Sequence, residues 1–277
     1  MPRILDYKGR EADRTVTVAD IVALKSQGKQ LAQVTASMAA EAAAAESAGI
    51  EMVVCMSDFV PAVRAGSQRV FLTAAIDFSG AVTTDDLLRD ALTALGNGAD
   101  AVITARGLDG VRRLAHEDIP VMGHLGFIPK KSTLFGGVRA VGRTAPEALA
   151  LWRKFQDLEE AGAFAVECEL IPAEVMREIN SRTGLATISL GSGPHADVQF
   201  LFTSDICGES ERIPRHARAY ADLAALHRQI ETTRVRALSA FRDDVANGGF
   251  PSATETSRID AAELDAFVAS LESEPSA

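Results

Sequence analysis

Short apolar runs recur along the chain, separated by polar or alanine-rich segments of helical length. Buried parallel strands have this appearance, because other elements cover both faces of their sheet. The runs predict eight strands, which cover Leu31–Ala36, Met52–Cys55, Val70–Ala75, Ala101–Thr104, Val121–Gly123, Phe164–Cys168, Ala186–Ser189 and Val198–Phe202.

The segments between these runs predict helices. Met38–Ala48 is rich in alanine, the strongest helix former, and Thr84 with its following aspartates supplies an N-cap and acidic first turn for Leu87–Leu95. The other predicted helices are Gly110–His116, Pro146–Glu160 and Pro172–Ser181. The alternation predicts an α/β protein with a (β/α)8 TIM barrel, and a doubly wound open sheet is the alternative.

After Pro214 the pattern predicts only helices, at Arg215–His227, Ile230–Asn247 and Asp260–Leu271. A single barrel usually has roughly 250 residues, so we expect one domain over residues 1–277. The helices of residues 215–271 are expected to cover the barrel or to mediate subunit contact. Residues 272–277 are expected to form a flexible tail.

The charge balance excludes some classes of partner. The chain has 28 basic and 38 acidic residues, a formal charge of -10, which argues against a general nucleic-acid or anionic-membrane surface. Cys55, Cys168 and Cys207 fit no metal or disulfide spacing, and no secretory segment is evident. These features predict a soluble protein of the reducing cytoplasm.

The segment from Val121 to Arg143 carries the main functional signal. An apolar run ends at Gly123 and His124, and a long glycine-rich loop with four cationic residues follows. Such a loop without its own periodicity is usually functional in a compact domain. His124 is either a functional residue delivered to the end of a strand or a structural core histidine, and the residues alone leave both open.

Functional residues of a barrel lie where strands end and the following loops begin. Glu169 follows an apolar strand and precedes Pro172, so its carboxylate is expected to point into the barrel mouth. Burial raises the pKa of a carboxylate and suits it to proton transfer near neutral pH. The alternative is a glutamate that hydrogen-bonds a neighbouring loop.

Three blocks of sequence point to one family. The first runs from Gly123-His124-Leu125-Gly126 to Val141-Gly142-Arg143, and the second from Leu158 to Glu169-Leu170-Ile171-Pro172-Ala173-Glu174. The third covers Ile188–Gly193 and continues to Asp197, Gln199 and Asp205. These blocks resemble ketopantoate hydroxymethyltransferases, which add a hydroxymethyl group to a branched 2-oxo acid.

The resemblance implies a TIM barrel within the wider phosphoenolpyruvate mutase and isocitrate lyase-like group. It implies that Glu169 is the catalytic base, that His124 lines the pocket and that Ser57 binds the 2-oxo acid. Mg²⁺, methylenetetrahydrofolate and a homo-oligomer are also expected of the family.

The residues that match the family's metal ligands differ here. Met56 stands where the family has an aspartate, Ala74 matches a second aspartate, and Thr104 with Arg106 replaces a Lys-x-Glu motif. Mg²⁺ prefers hard oxygen donors, so the family-type metal site is expected to be lost, leaving Met56 and Thr104 as pocket residues. A shifted site built from Asp58 and Asp77 is the alternative to ordinary loop capping by these aspartates.

Two further groups are candidates for anion binding. Arg106 occupies a position of lost acidity and is predicted to hold a substrate carboxylate, unless it instead forms a salt bridge with Asp109. Gly193, in the turn Gly191-Ser192-Gly193-Pro194, is predicted to offer backbone N–H groups to an anion.

The sequence is compatible with three functions. The first is hydroxymethyl transfer or related aldol chemistry on a small 2-oxo acid, with Glu169 as base. The second is a metal-independent carbon–carbon lyase or hydrolase of the same barrel group. The third is a catalytically silent paralogue that binds a metabolite.

Overall fold

The computed structural model describes residues 3–76 and 80–273. Its strands are β1 Ile4–Leu5, β2 Glu11–Ala12, β3 Leu31–Thr35, β4 Met52–Met56, β5 Phe71–Ala75, β6 Ala101–Ile103, β7 Val121–Gly126, β8 Ala165–Glu169, β9 Ala186–Leu190 and β10 Val198–Leu201. Strands β3 to β10 close into a parallel barrel in the order β10-β3-β4-β5-β6-β7-β8-β9. The predicted TIM barrel is confirmed.

The helices are α1 Val18–Gln27, α2 Ala39–Ser47, α3 Val60–Gly66, α4 Thr84–Gly96, α5 Leu108–Ala115, α6 Ala145–Glu160, α7 Ala173–Asn180, α8 Thr203–Ile206, α9 Leu223–Ala246 and α10 Ala261–Ser273. The loop of residues 191–197, rather than a helix, joins β9 to β10. Two 3-10 turns, Ser57–Phe59 and Pro129–Phe135, follow β4 and β7 at the mouth of the barrel.

Strand alternation separates two apolar layers. In β8, Ala165 packs with the residues inside the barrel, whereas Val166 and Cys168 pack with the layer between the strands and the helices. The inner layer also contains Ile21 and Leu24 of α1, so this helix closes the barrel on its N-terminal side. Inward side chains at the carboxyl ends of the strands therefore face the open mouth.

All eight predicted barrel strands form, but several other predictions were wrong. Residues 215–222 are not helical, and one continuous helix, α9, spans the predicted break before Ile230. The N-cap of α4 is Thr83, whose side chain accepts a hydrogen bond from Asp86 N, rather than Thr84. The pattern also missed α1 and α3, which have 10 and 7 residues.

The chain divides into two compact units, residues 1–221 and 222–277. The first unit contains the barrel. In the second unit, the apolar side chains of α9 and α10 are exposed, and the ring of Phe241 meets that of Phe250 edge-on at 5.2 Å. None of the helices in the described residues is long and apolar enough to cross a membrane.

Candidate active site

His124 and Glu169 meet inside the barrel mouth. They lie on the adjacent strands β7 and β8, and Nε2 of His124 is 3.1 Å from Oε2 of Glu169. Glu169 is only 8% exposed. The sequence placed His124 just beyond its strand, whereas β7 continues to Gly126 and holds the imidazole on an inward-facing strand position.

Glu167 is a third member of this cluster, and the sequence analysis missed its role. Its Oε1 lies 3.8 Å from Nε2 of His124, and the residue is 7% exposed. The signal was present in the alternation of β8, because residues two apart on a strand face the same side. If Glu169 faces the interior, then Glu167 must face it too.

The cluster shifts the proton affinity of His124 and Glu167. Burial lowers the pKa of His124, but its hydrogen bond to Glu169 and the negative charge of Glu167 outweigh that effect, so the net pKa is raised. Burial raises the pKa of Glu167, although the neighbouring His124 opposes this. The arrangement therefore favours a proton held between His124 and the carboxyl groups.

The three donor atoms lie within 4.8 Å of one another, a spacing that would admit a divalent cation. A metal-bound histidine normally donates its other ring N–H to a protein acceptor. Within residues 3–76 and 80–273, the hydrogen bond found for the His124 ring is the one that Nε2 makes with Glu169. We therefore interpret the cluster as hydrogen bonded.

The backbone around Glu169 is held from several directions. Its carbonyl accepts a 2.7 Å hydrogen bond from Phe127 N. Leu170 follows in the left-handed region, at φ 50°, which is costly for a residue with a side chain. The Ser192 hydroxyl donates to Cys168 O at 2.7 Å and accepts from Ile171 N at 2.9 Å, so it clamps the turn on both sides.

Two cationic residues lie in the loops that follow β6 and β7. Arg106 donates from its guanidinium to Ala81 O, and Lys131 donates to Ala105 O at 2.7 Å. Burial lowers the pKa of Lys131, as do the charges of Lys154 and Arg106. Lys131 is half-buried, and its charge reaches His124.

The alternative for Arg106 was a salt bridge with Asp109. In the structure, the carboxylate of Asp109 instead pairs with Arg112 at 3.2 Å. The mouth also includes Ser57 at the start of its 3-10 turn and Met56, which is 41% exposed. Thr104 is buried, and its hydroxyl accepts a hydrogen bond from Arg106 N at 3.2 Å.

The positions that match the family's metal ligands have no carboxylate side chain. Ala74 packs outward in the layer below the helices, and the inward residue at the end of β5 is Ala75. Asp58 is exposed in its 3-10 turn, and Asp77 lies outside the described residues. The shifted metal site from these two aspartates therefore stays a prediction.

The turn containing Gly193 has internal hydrogen bonds. Ser192 N donates to Ser189 Oγ at 3.1 Å, and Gly193 O accepts from Ser189 Oγ at 2.9 Å. The backbone N–H of Ser192 is therefore already hydrogen bonded to a protein group. An anion site at Gly193 stays a prediction.

The buried cysteines are poor nucleophiles. Burial raises the pKa of Cys55 to about 12. Burial also raises the pKa of Cys168, which packs on the helix-facing side of β8. A high pKa leaves little thiolate at neutral pH.

Comparisons with known proteins identify the family of the chain. Residues 54–253 match the family model described as ketopantoate hydroxymethyltransferase. The 3-methyl-2-oxobutanoate hydroxymethyltransferase of Hyperthermus butylicus is 35% identical over 268 residues, covering 88% of this chain and 90% of that protein. The enzyme of the same name from Roseiflexus sp. is 34% identical over 274 residues, covering 90% of this chain and 96% of that protein.

Solved structures share the fold at low identity. Phosphonopyruvate hydrolase, in a complex with oxalate and Mg²⁺, has a TM-score of 0.54 and 14% identity, covering 93% of this chain and 98% of that one. A putative phosphonomutase from Burkholderia cenocepacia has a TM-score of 0.53 and 11% identity, covering 80% of this chain and all of that one. With the family match over most of its length, the chain belongs to the ketopantoate hydroxymethyltransferase family.

Proposed function

We propose that the protein removes a proton from the carbon beside the ketone of a small 2-oxo acid and forms a carbon–carbon bond there, with Glu169 as the base. The observation that supports this is the buried Glu169 carboxylate in the barrel mouth, hydrogen bonded to Nε2 of His124. A general base must lie within reach of the substrate, and the carboxyl end of a barrel is where substrates bind.

The proposed substrate is an anion, and the cations around the mouth suit it. Arg106 can hold a carboxylate through two N–H groups, and the half-buried Lys131 adds a second positive charge. Because these charges are fixed before substrate binds, they would offset the negative charge that develops on the ketone oxygen during proton removal. Ser57 offers a hydroxyl at the same end of the barrel.

The family is Mg²⁺-dependent and uses methylenetetrahydrofolate as the one-carbon donor. The donor set at the corresponding positions does not fit Mg²⁺, since Met56 offers a thioether and the end of β5 only the methyl groups of Ala74 and its inward neighbour Ala75, while the Thr104 hydroxyl is engaged by Arg106 N. We therefore propose that charge stabilisation in this chain comes from Arg106 and Lys131. Methylenetetrahydrofolate would supply the one-carbon unit of a hydroxymethyl transfer.

Proton removal can be measured without the one-carbon donor. The protein is incubated in D₂O with 3-methyl-2-oxobutanoate, and loss of the C3 proton signal is followed by NMR. We expect exchange with the wild-type protein, at least 100-fold slower exchange with Glu169→Gln, and no change with Glu174→Gln, which removes an exposed carboxylate from α7.

A wild-type protein that exchanges no proton from this acid or from other small 2-oxo acids would overturn the proposal. EDTA tests the role of metal in the same assay. We expect exchange to persist after chelation. Loss of exchange in EDTA, restored by Mg²⁺, would contradict the assignment of charge stabilisation to Arg106 and Lys131.

A further inference from the structure

Glu167 has no role in the proposed reaction, yet it lies two positions before Glu169 on the inward face of β8. Successive inward residues are about 6.5 Å apart along a strand. Glu167 is therefore deeper in the barrel than the proposed base. Residues of the inner apolar layer, including Val54, Ile103 and Phe200, fill the barrel interior.

An ionisable group in such surroundings is costly unless it is paired. The pairing partner of Glu167 is His124, whose Nε2 also reaches Glu169. One ring nitrogen thus faces two carboxyl groups, at 3.8 Å and 3.1 Å. An unprotonated Nε2 would present its lone pair to both, whereas a protonated Nε2 is attracted to both.

We propose that Glu167 is a positioning residue: from below the mouth, its carboxyl group keeps a proton on Nε2 of His124, and this proton makes His124 the hydrogen-bond donor to Glu169. The identity of Glu169 as the base rests on the proposed function. The relationship between Glu167 and His124 is independent of any substrate.

The charged groups around His124 have opposing effects. Glu167 and Glu169 on β8 favour the protonated imidazole, whereas Lys131, from the loop after β7, disfavours it. The charge of Arg106, in the loop after β6, lowers the pKa of Lys131. The net pKa of His124 is raised despite burial, and the charge of Glu167 is one of the causes.

Removing the charge of Glu167 should therefore reduce the proton affinity of His124. The protein is labelled with ¹³C,¹⁵N-histidine, and the five histidines are titrated by NMR in EDTA without substrate. We expect Glu167→Gln to move the midpoint of His124 to lower pH by more than any change at His116, His195, His216 or His227. Glu160→Gln, at the exposed end of α6, should leave all five midpoints unchanged.

A conservative variant separates charge from packing. Glu167→Asp keeps an ionisable group, so we expect its His124 midpoint to stay closer to that of the wild type than the midpoint of Glu167→Gln. Equal reductions in both variants, or no reduction in Glu167→Gln, would overturn the proposal. The titration uses no substrate, so a failure of the proton-exchange assay leaves its outcome intact.

The wild-type protein provides a second measurement that needs no variant. The ¹⁵N shifts of a neutral imidazole report which nitrogen carries the proton. Above the midpoint of His124, we expect that proton on Nε2. A neutral ring protonated mainly on Nδ1 would overturn the proposal, even if the Glu167 variants fail to fold.

Discussion

The backbone of Gly126 lies directly against the carbonyl of Glu169. A Cβ atom at position 126 would be 2.2 Å from that oxygen, and Gly126 has a φ of 89°. The two residues are also paired in the ladder between β7 and β8. The last glycine of the Gly-His-Leu-Gly motif is therefore required where the histidine strand pairs with Glu169.

Gly126→Ala should destabilise the protein by about 3 kcal/mol or more, because it adds a clash with backbone to the cost of a left-handed conformation. Urea unfolding measures this change. Gly136→Ala is the matched control, since Gly136 has a similar φ of 70° but open space at the Cβ position. It should cost about 1 to 2 kcal/mol. Equal losses in the two variants would contradict close contact between Gly126 and Glu169.

Ser192 supports Glu169 from the other side. Ser192→Ala removes the donor to Cys168 O and the acceptor for Ile171 N, and leaves both backbone groups buried without that partner. We expect a loss of about 2 kcal/mol in the free energy of unfolding and slower proton exchange at substrate carbon. Ser26→Ala removes an exposed hydroxyl of α1 and should change neither quantity. An unaffected exchange rate in Ser192→Ala would show that this clamp does not position Glu169.

The sequence was most informative where physical constraints are local. Apolar strands such as β4 and β8 were recognised because a parallel barrel buries both faces of each strand. The meeting of His124 with Glu169 could be expected because both lie at the carboxyl ends of strands.

Contacts made in three dimensions were harder to foresee. Lys131 is half-buried and donates a hydrogen bond to Ala105 O, which lies 26 residues earlier in the chain, and no local pattern encodes that contact. The break predicted before Ile230 was wrong because α9 is polar over much of its surface. The large apolar residues of α9 are exposed within its own unit. Their spacing along the sequence therefore did not mark where the helix begins or ends.

The cluster should make stability depend on pH. The pKa of Glu167 is raised by burial, and that of His124 is raised by its carboxylate neighbours. A group with a raised pKa binds its proton more tightly in the folded state, so its contribution is fully present below the unfolded pKa and is lost as pH rises through the folded pKa. This contribution should therefore decrease as pH is raised from 4.5, the ordinary pKa of a glutamate carboxyl, through neutrality, and the wild-type melting temperature should decrease with it.

Glu167→Gln should reduce that fall, because one of the two groups no longer titrates and the other loses a cause of its raised pKa. Melting curves of the wild type, Glu167→Gln and Glu160→Gln across the same pH range measure this difference. Glu160→Gln should follow the wild type. A slope in Glu167→Gln as steep as that of the wild type would contradict the coupling of Glu167 to stability.

Arg106 is predicted to determine carboxylate binding. Arg106→Ala should weaken binding of 3-methyl-2-oxobutanoate, measured by calorimetry without a one-carbon donor, by about 10-fold or more, because a charge-assisted pair contributes roughly 1.5 to 3 kcal/mol. Arg106→Lys should recover only part of this affinity, since an ammonium group cannot bind a carboxylate through two parallel N–H groups. Arg112→Ala removes a guanidinium that pairs with Asp109 on the exposed face of α5 and should bind like the wild type. Unchanged affinity in Arg106→Ala would assign the carboxylate to other groups of the mouth, with Lys131→Ala as the next variant to measure.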